Sequence, residues 1–152
     1  MTLIEVLVAL LVISVGLLGI AGLQLTSMQA NTTAYHHSQA IWYAYDMADR
    51  MRVNATGVTT GAYDAVSVDG SEAVVDCSVG CTPATLATYD AYEFGRQVAT
   101  LPAGEGRVAA NGDGTYTVTV MWDELGGQAA VGTGCDPTDP NDKTCVQVTL
   151  RP

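Results

Sequence analysis

The sequence predicts an α+β fold: one long N-terminal helix packed on a small antiparallel β-sheet headpiece that carries a second, short helix. Three observations lead there. No proline interrupts residues 1–54, and a Thr82-Pro83 start signal opens a second helical pattern. After Leu101-Pro102 the apolar period changes from helical to two. A chain of 152 residues is long enough for one domain with a real core, but not comfortably for two.

The long helix is expected over residues 1–54, with a headpiece over 55–152. From Val6 to Leu25 only Ser14 and Gln24 carry polar side chains. A helix of that length matches the roughly 30 Å hydrocarbon thickness of a bilayer. The hydrophobic half therefore covers residues 1–26. From Ser27 the chain becomes amphipathic: Ala34, Ser38, Ile41, Ala44 or Tyr45, Ala48 and Met51 recur at helical spacing. Asp46, Asp49, Arg50 and Arg52 occupy the other faces, and Asn54 with Gly57 supplies a stop.

Residues 55–76 read as irregular. The second helix starts with Thr82 as N-cap and Pro83 in the first turn, because proline lacks only an N–H that would have no partner there. Leu86, Tyr89, Phe94, Val98 and Leu101 lie close to one of its faces. Arg107 to Ala110 then leads into Asn111-Gly112-Asp113-Gly114, residues that tolerate positive φ and signal a hairpin. Thr115 to Trp122 alternates Tyr116, Val118, Val120 and Trp122 against threonines and Met121, as a half-buried strand does. Cys145 to Leu150 is a further alternating strand, giving a sheet of about three strands.

Composition excludes several functions. The formal charge is −10, and no Lys or Arg precedes Arg50. Such a chain offers no basic surface to nucleic acid and no polybasic segment to anionic lipid. Four cysteines, Cys77, Cys81, Cys135 and Cys145, all follow the apolar segment. An even count in a small domain points to disulfides in an oxidising compartment, with the N-terminus on the cytoplasmic side and the headpiece outside. Of the three pairings, Cys77–Cys81 and Cys135–Cys145 are favoured because both bracket turn-rich segments. The second would close a short loop worth about 2–3 kcal/mol.

The remaining chemistry-bearing residues yield no catalytic set. The cysteine spacings are irregular for zinc. Asp136, Asp139, Asn141 and Asp142 concentrate oxygen ligands in one loop, so calcium is an alternative there. The EF-hand spacing is missing, however, and Asp-Pro pairs are ordinary turn formers. No cofactor and no metal is expected. His36 and His37 are adjacent and point to different helix faces, and Ser38 completes no nucleophile arrangement with them. Asp90 and Glu93 share a face without a complementary base, and Tyr116 and Trp122 read as core.

Glu5 is the residue that does not fit a plain anchor. An acidic group at the centre of a membrane helix costs roughly 2.5–3.5 kcal/mol, less near an end. The only intrinsic cation nearby is the Met1 α-amine, of the same chain or of a neighbour in a parallel array, and Thr2 can add a hydrogen bond. Snorkelling of Glu5 to the membrane interface is the alternative. Gly16, Gly19 and Gly22 allow close backbone approach between helices. Each also weakens the helix by about 1 kcal/mol relative to Ala.

Met1-Thr2-Leu3-Ile4-Glu5-Val6-Leu7-Val8-Ala9-Leu10 resembles the start of a mature type IV pilin or pseudopilin. Residues 44–54, Cys77 to Pro83, Leu101-Pro102 with Gly104, and Tyr116 to Trp122 resemble the PilV group of minor pilins. The resemblance implies that a prepilin peptidase has removed a basic leader and N-methylated Met1, which stands where the family usually has Phe. It implies that Thr2 and Glu5 guide assembly, and that the segment with Ser14, Gly16, Gly19 and Gly22 extends locally in a filament. It also implies a non-enzymatic pilus subunit acting in initiation or at the tip. The protein would reside in the bacterial inner membrane, headpiece periplasmic, and then in the extracellular pilus. Other pilin subunits and a tip adhesin are the implied partners. A major pilin, a type II secretion pseudopilin and a non-polymerising anchored adhesive domain are the competing readings.

Overall fold

A computed structural model describes residues 2–124, 135 and 143–152. In chain order the elements are α1 (Leu3–Val53), α2 (Ala55–Thr59), β1 (Ala65–Val68), α3 (Pro83–Val98), β2 (Glu105–Ala110), β3 (Tyr116–Trp122) and β4 (Thr144–Leu150). The architecture is α+β, a long N-terminal helix with a small antiparallel sheet, consistent with the type IV pilin fold.

The chain forms two compact units. Met1–Tyr35 is one, and its described part from Leu3 is helical throughout. His36–Pro152 is the other and includes the last part of α1. The stripe of α1 that enters the core is Ala40, Tyr43, Ala44, Met47, Ala48 and Met51. Ala44, Ala48 and Met51 were read from spacing, but Ala34, Ser38, Ile41 and Tyr45 are exposed. An alternative apolar stripe lay one residue away, and only the sheet's position selects between them.

The sheet has four strands in the order β1-β2-β3-β4, all antiparallel. The segment read as irregular contains both α2 and β1. Asn54 stops α1 and also caps α2, its side chain accepting from the Gly57 amide at 3.1 Å. The β1 strand has only four residues, Ala65–Val68. That is too short for alternation to stand out from the Gly, Ser and Asp around it.

Thr82 caps α3 by accepting from the Thr85 amide, with Pro83 opening the helix. The buried face of α3 is Ala87, Asp90, Phe94, Gly95 and Val98, whereas Leu86 and Tyr89 are half-buried. Gly106 of β2 lies directly under the Phe94 ring, leaving no room for a Cβ. The β2–β3 hairpin turns through Gly112 and Gly114, both at positive φ. Asp113 closes the turn by accepting from the Thr115 amide at 2.9 Å.

β3 departs from a half-buried strand. Thr119 and Met121 are buried alongside Tyr116, Val118, Val120 and Trp122. A strand with a neighbour on each edge, as β3 has in β2 and β4, is shielded more than alternation alone suggests. One hydrophobic core joins the lower stripe of α1, Tyr63, the inner face of α3 and the sheet residues Val108, Val118, Val120, Trp122 and Leu150.

Candidate functional site

The N-terminal stretch of α1 is the first candidate. Thr2 occupies the N-cap position: its carbonyl accepts from the Glu5 and Val6 amides. The Thr2 amide in turn donates to Glu5 Oε2 at 3.4 Å. This is the return half of a capping box, and Thr2-x-x-Glu5 was its signal in the sequence. Glu5 thus has a partner three residues away in its own chain. Met1 lies outside the described residues, and so does the pairing of its amine with Glu5.

Along the same stretch the large side chains are uncovered. Leu3, Leu18 and Leu23 are 79%, 73% and 73% exposed, and every described residue up to Tyr35 is exposed. Isolated exposed leucines are ordinary on soluble proteins, but a contiguous surface of this kind marks a membrane or protein contact. Among the described residues, α1 alone is long and apolar enough to cross a membrane. Ser14 Oγ donates to the Leu10 carbonyl at 2.7 Å, so this hydroxyl is satisfied within the helix. A Cβ added at Gly16, Gly19 or Gly22 would meet nothing within 4 Å. Nothing among the described residues therefore requires glycine at those positions.

The second candidate is a chain of polar groups inside the headpiece that sequence reasoning left in separate elements. Arg50 reaches Asp46 on its own helix at 2.8 Å and Asp90 of α3 at 3.4 Å. The other Asp90 oxygen accepts from Tyr63 Oη at 2.5 Å, and Tyr63 Oη accepts from Asn54 Nδ2 at 2.9 Å. Asn54 Nδ2 also donates to the Pro83 carbonyl, and Gln97 Nε2 donates to Asp46. Asn54, Tyr63 and Asp90 are all buried. Burial pushes the Tyr63 hydroxyl well above its ordinary value, and the Asp90 carboxylate beside it adds to the rise. Burial would raise Asp46, but hydrogen bonds from Arg50 and Gln97 hold it below the usual carboxylate value. Arg50 is lowered by burial, and Asp46 and then Asp90 reverse this and hold it above its ordinary value.

This arrangement ties helix to helix, Arg50 of α1 to Asp90 of α3. Both oxygens of Asp90 and Oδ2 of Asp46 face donors of the same chain. Glu93, the other half of the carboxylate pair, turns to Arg96 instead. His37 sets its ring edge-on to Trp122 at 5.9 Å between centroids. Trp122 and Tyr116 are core residues, Tyr116 Oη donating to Asp64 at 2.7 Å. Disulfides join Cys77 to Cys81 and Cys135 to Cys145. The Asp136–Asp142 loop lies outside the described residues. Among the described residues no group of three or more His, Cys, Asp or Glu side chains could hold a metal ion.

Residues 22–92 match the family model of the Tt1218-like proteins, described as type IV pilin Tt1218. That supports the type IV pilin superfamily. The matched stretch is a little under half of the chain. It runs from the end of the apolar part of α1 through α2, β1 and most of α3. It therefore includes Asp46, Arg50, Asn54, Tyr63 and Asp90. Neither the comparison with curated proteins nor that with solved structures gives a match.

Proposed function

We propose that this chain is a structural, non-catalytic subunit of a type IV pilus, and within that class a PilV-like minor pilin acting in initiation or at the tip. The observation that carries the reading is the uncovered apolar surface of α1 from Leu3 to Leu25, headed by a single carboxylate at Glu5. The match of residues 22–92 to a type IV pilin model supports it.

The mechanism is non-covalent. In the inner membrane, with the headpiece periplasmic, lipid covers the apolar helix. On assembly the helices of neighbouring subunits replace that lipid, so the burial of apolar surface is kept during extraction. Glu5 exchanges its local bond to the Thr2 amide for the Met1 amine of a neighbour. An unpaired charge in an apolar core is costly, so this exchange sets the axial register. A prepilin peptidase would produce and N-methylate that terminus. Local extension around Ser14, Gly16, Gly19 and Gly22 would let the packed helices adjust. Other pilin subunits are the partners in the shaft, and a tip adhesin is the partner beyond it.

Glu5→Ala tests this in cells. We expect unchanged membrane insertion and loss of the chain from sheared filaments. Wild-type incorporation of the variant would remove the assembly role. Counting the chain against other subunits in purified filaments separates a minor from a major pilin, because a majority share contradicts the minor role.

A further inference from the structure

On one side the sheet ends at β1. The Ala110 amide donates to the Asp64 carbonyl at 3.1 Å, and the register that pairs Ala65 with Ala109 sets these two residues opposite each other. Positions along an antiparallel ladder alternate between exchanging backbone bonds and turning them outward. Val66 and Val68 therefore bond to β2, while the N–H and C=O groups of Ala65 and Ser67 turn to the outer edge. No backbone bond among the described residues meets them there, and both residues are exposed. Beside this edge runs a groove of about 420 Å³, walled by Ala65 and Val66 of β1, Ala73 and Val75 of the following segment, and Ala87 and Ala91 of α3. The segment that forms the far wall is tied at both ends. Glu72 accepts from the Asp69 and Gly70 amides, and the Cys77–Cys81 disulfide closes the stretch just before the Thr82 cap.

We propose that the β1 edge and its groove dock an extended segment of a different protein, which adds to the sheet as a further antiparallel strand. The segment has small apolar side chains and a Lys or Arg at its N-terminal end. This goes beyond the pilus-subunit reading and does not rest on it. The outward N–H and C=O groups recognise a polypeptide backbone, and the groove beside them recognises every second side chain. Its walls are alanine and valine, so those side chains are apolar and small. Outside α1, the exposed large apolar residues among those described are Val74 and Val79, and both lie on the segment that carries the far wall. Charge fixes the end of the guest. Past Val68 the groove opens into a hollow lined by Asp69, Glu72 and Glu105. Arg107 and Lys143 are taken up by Glu105, which leaves Asp69 and Glu72 for a cation of the guest. An antiparallel guest begins where β1 ends, so that cation is N-terminal. Charge also disfavours a second copy. Its cations Arg50, Arg52, Arg96, Arg107, Lys143 and Arg151 each hold a bond within their own chain, and its net charge of −10 repels.

The full chain in mild detergent, titrated with a dye-labelled synthetic peptide Lys-Ala-Val-Ala-Val-Ala and followed by fluorescence anisotropy, tests the proposal. The expected result is saturable binding, with slowed hydrogen exchange at the Ala65 and Ser67 amides. Ser67→Pro removes a donor that faces the guest and none that faces β2. Ala73→Leu fills the groove from its exposed wall. Each should weaken binding about tenfold, with the far-ultraviolet circular dichroism of the chain unchanged. A peptide N-methylated at alternate residues should lose as much, and it asks nothing of the protein's folding. Glu in place of the peptide's Lys should also weaken binding about tenfold, and Glu72→Gln should narrow that difference. No saturation at millimolar peptide would overturn the proposal, as would equal binding of the Glu peptide. So would slowed exchange confined to α1 or β4, or protection of Ala65 and Ser67 that appears on concentrating the chain without peptide.

Discussion

Replacing Tyr63 by Phe isolates the polar chain that ties α1 to α3. The substitution keeps the ring in the core and removes one oxygen. That oxygen donates to Asp90 at 2.5 Å and accepts from Asn54 at 2.9 Å. Asn54 keeps its bond to the Pro83 carbonyl at 2.8 Å, so its amide is not stranded. Asp90 fares worse, because one oxygen of a buried carboxylate is left with no donor and Arg50 remains on the other at 3.4 Å. A hydrogen bond to a charged group contributes about 1.5–3 kcal/mol. With part of the Asn54 bond added, the expected loss is about 2–3 kcal/mol. For a unit of this size that lowers the melting temperature by on the order of 6–12 °C. Thermal unfolding of the full chain in mild detergent, followed by the near-ultraviolet circular dichroism of buried Trp122, measures it. A double-mutant cycle with Asp90→Asn should recover at least 1 kcal/mol of coupling. A shift below about 1 °C, or purely additive effects, would show that the chain of hydrogen bonds carries no stability.

The same hydroxyl predicts an alkaline limit. Its folded value is raised, so the stability it contributes is complete below the unfolded tyrosine value near 10 and falls as pH rises beyond it. Base titration of the wild type should show headpiece unfolding that begins above about pH 10, and Tyr63→Phe should flatten that slope. Gly106→Ala drives a methyl into the Phe94 ring and should cost about 1–3 kcal/mol by denaturation, with partial rescue by Phe94→Leu. Changing Gly16, Gly19 and Gly22 together to Ala meets no atom within 4 Å among the described residues and should leave insertion and helix content intact or raised. Filament incorporation should nevertheless drop severalfold; unchanged incorporation would mean that neither close packing nor extension needs those glycines.

Local rules were legible where they act over a few residues. The unbroken helix to Val53, the Thr82 cap with Pro83, the hairpin through Gly112 and Gly114, and the last two strands could be read because capping, positive φ and period are written in neighbouring positions. So was the uncovered apolar run headed by Glu5. The Thr2–Glu5 box is also written in its spacing, three residues apart on one helical turn. What tertiary structure alone decided concerns groups far apart in the chain. It selected Ala40, Tyr43 and Met47 over Ala34, Ser38 and Ile41 for the core. Two stripes of similar apolarity differ only in what lies opposite them. It placed four-residue β1 against β2, a pairing too short to leave a pattern. It also gathered Asp46, Arg50, Asn54, Tyr63, Asp90 and Gln97 into one connected set. On their own elements Asp46 and Arg50 read as outer-face residues, Asn54 as a helix stop and Asp90 as half of a pair with Glu93. A buried carboxylate and its donors satisfy one another only after the elements have met, and no local spacing encodes that meeting.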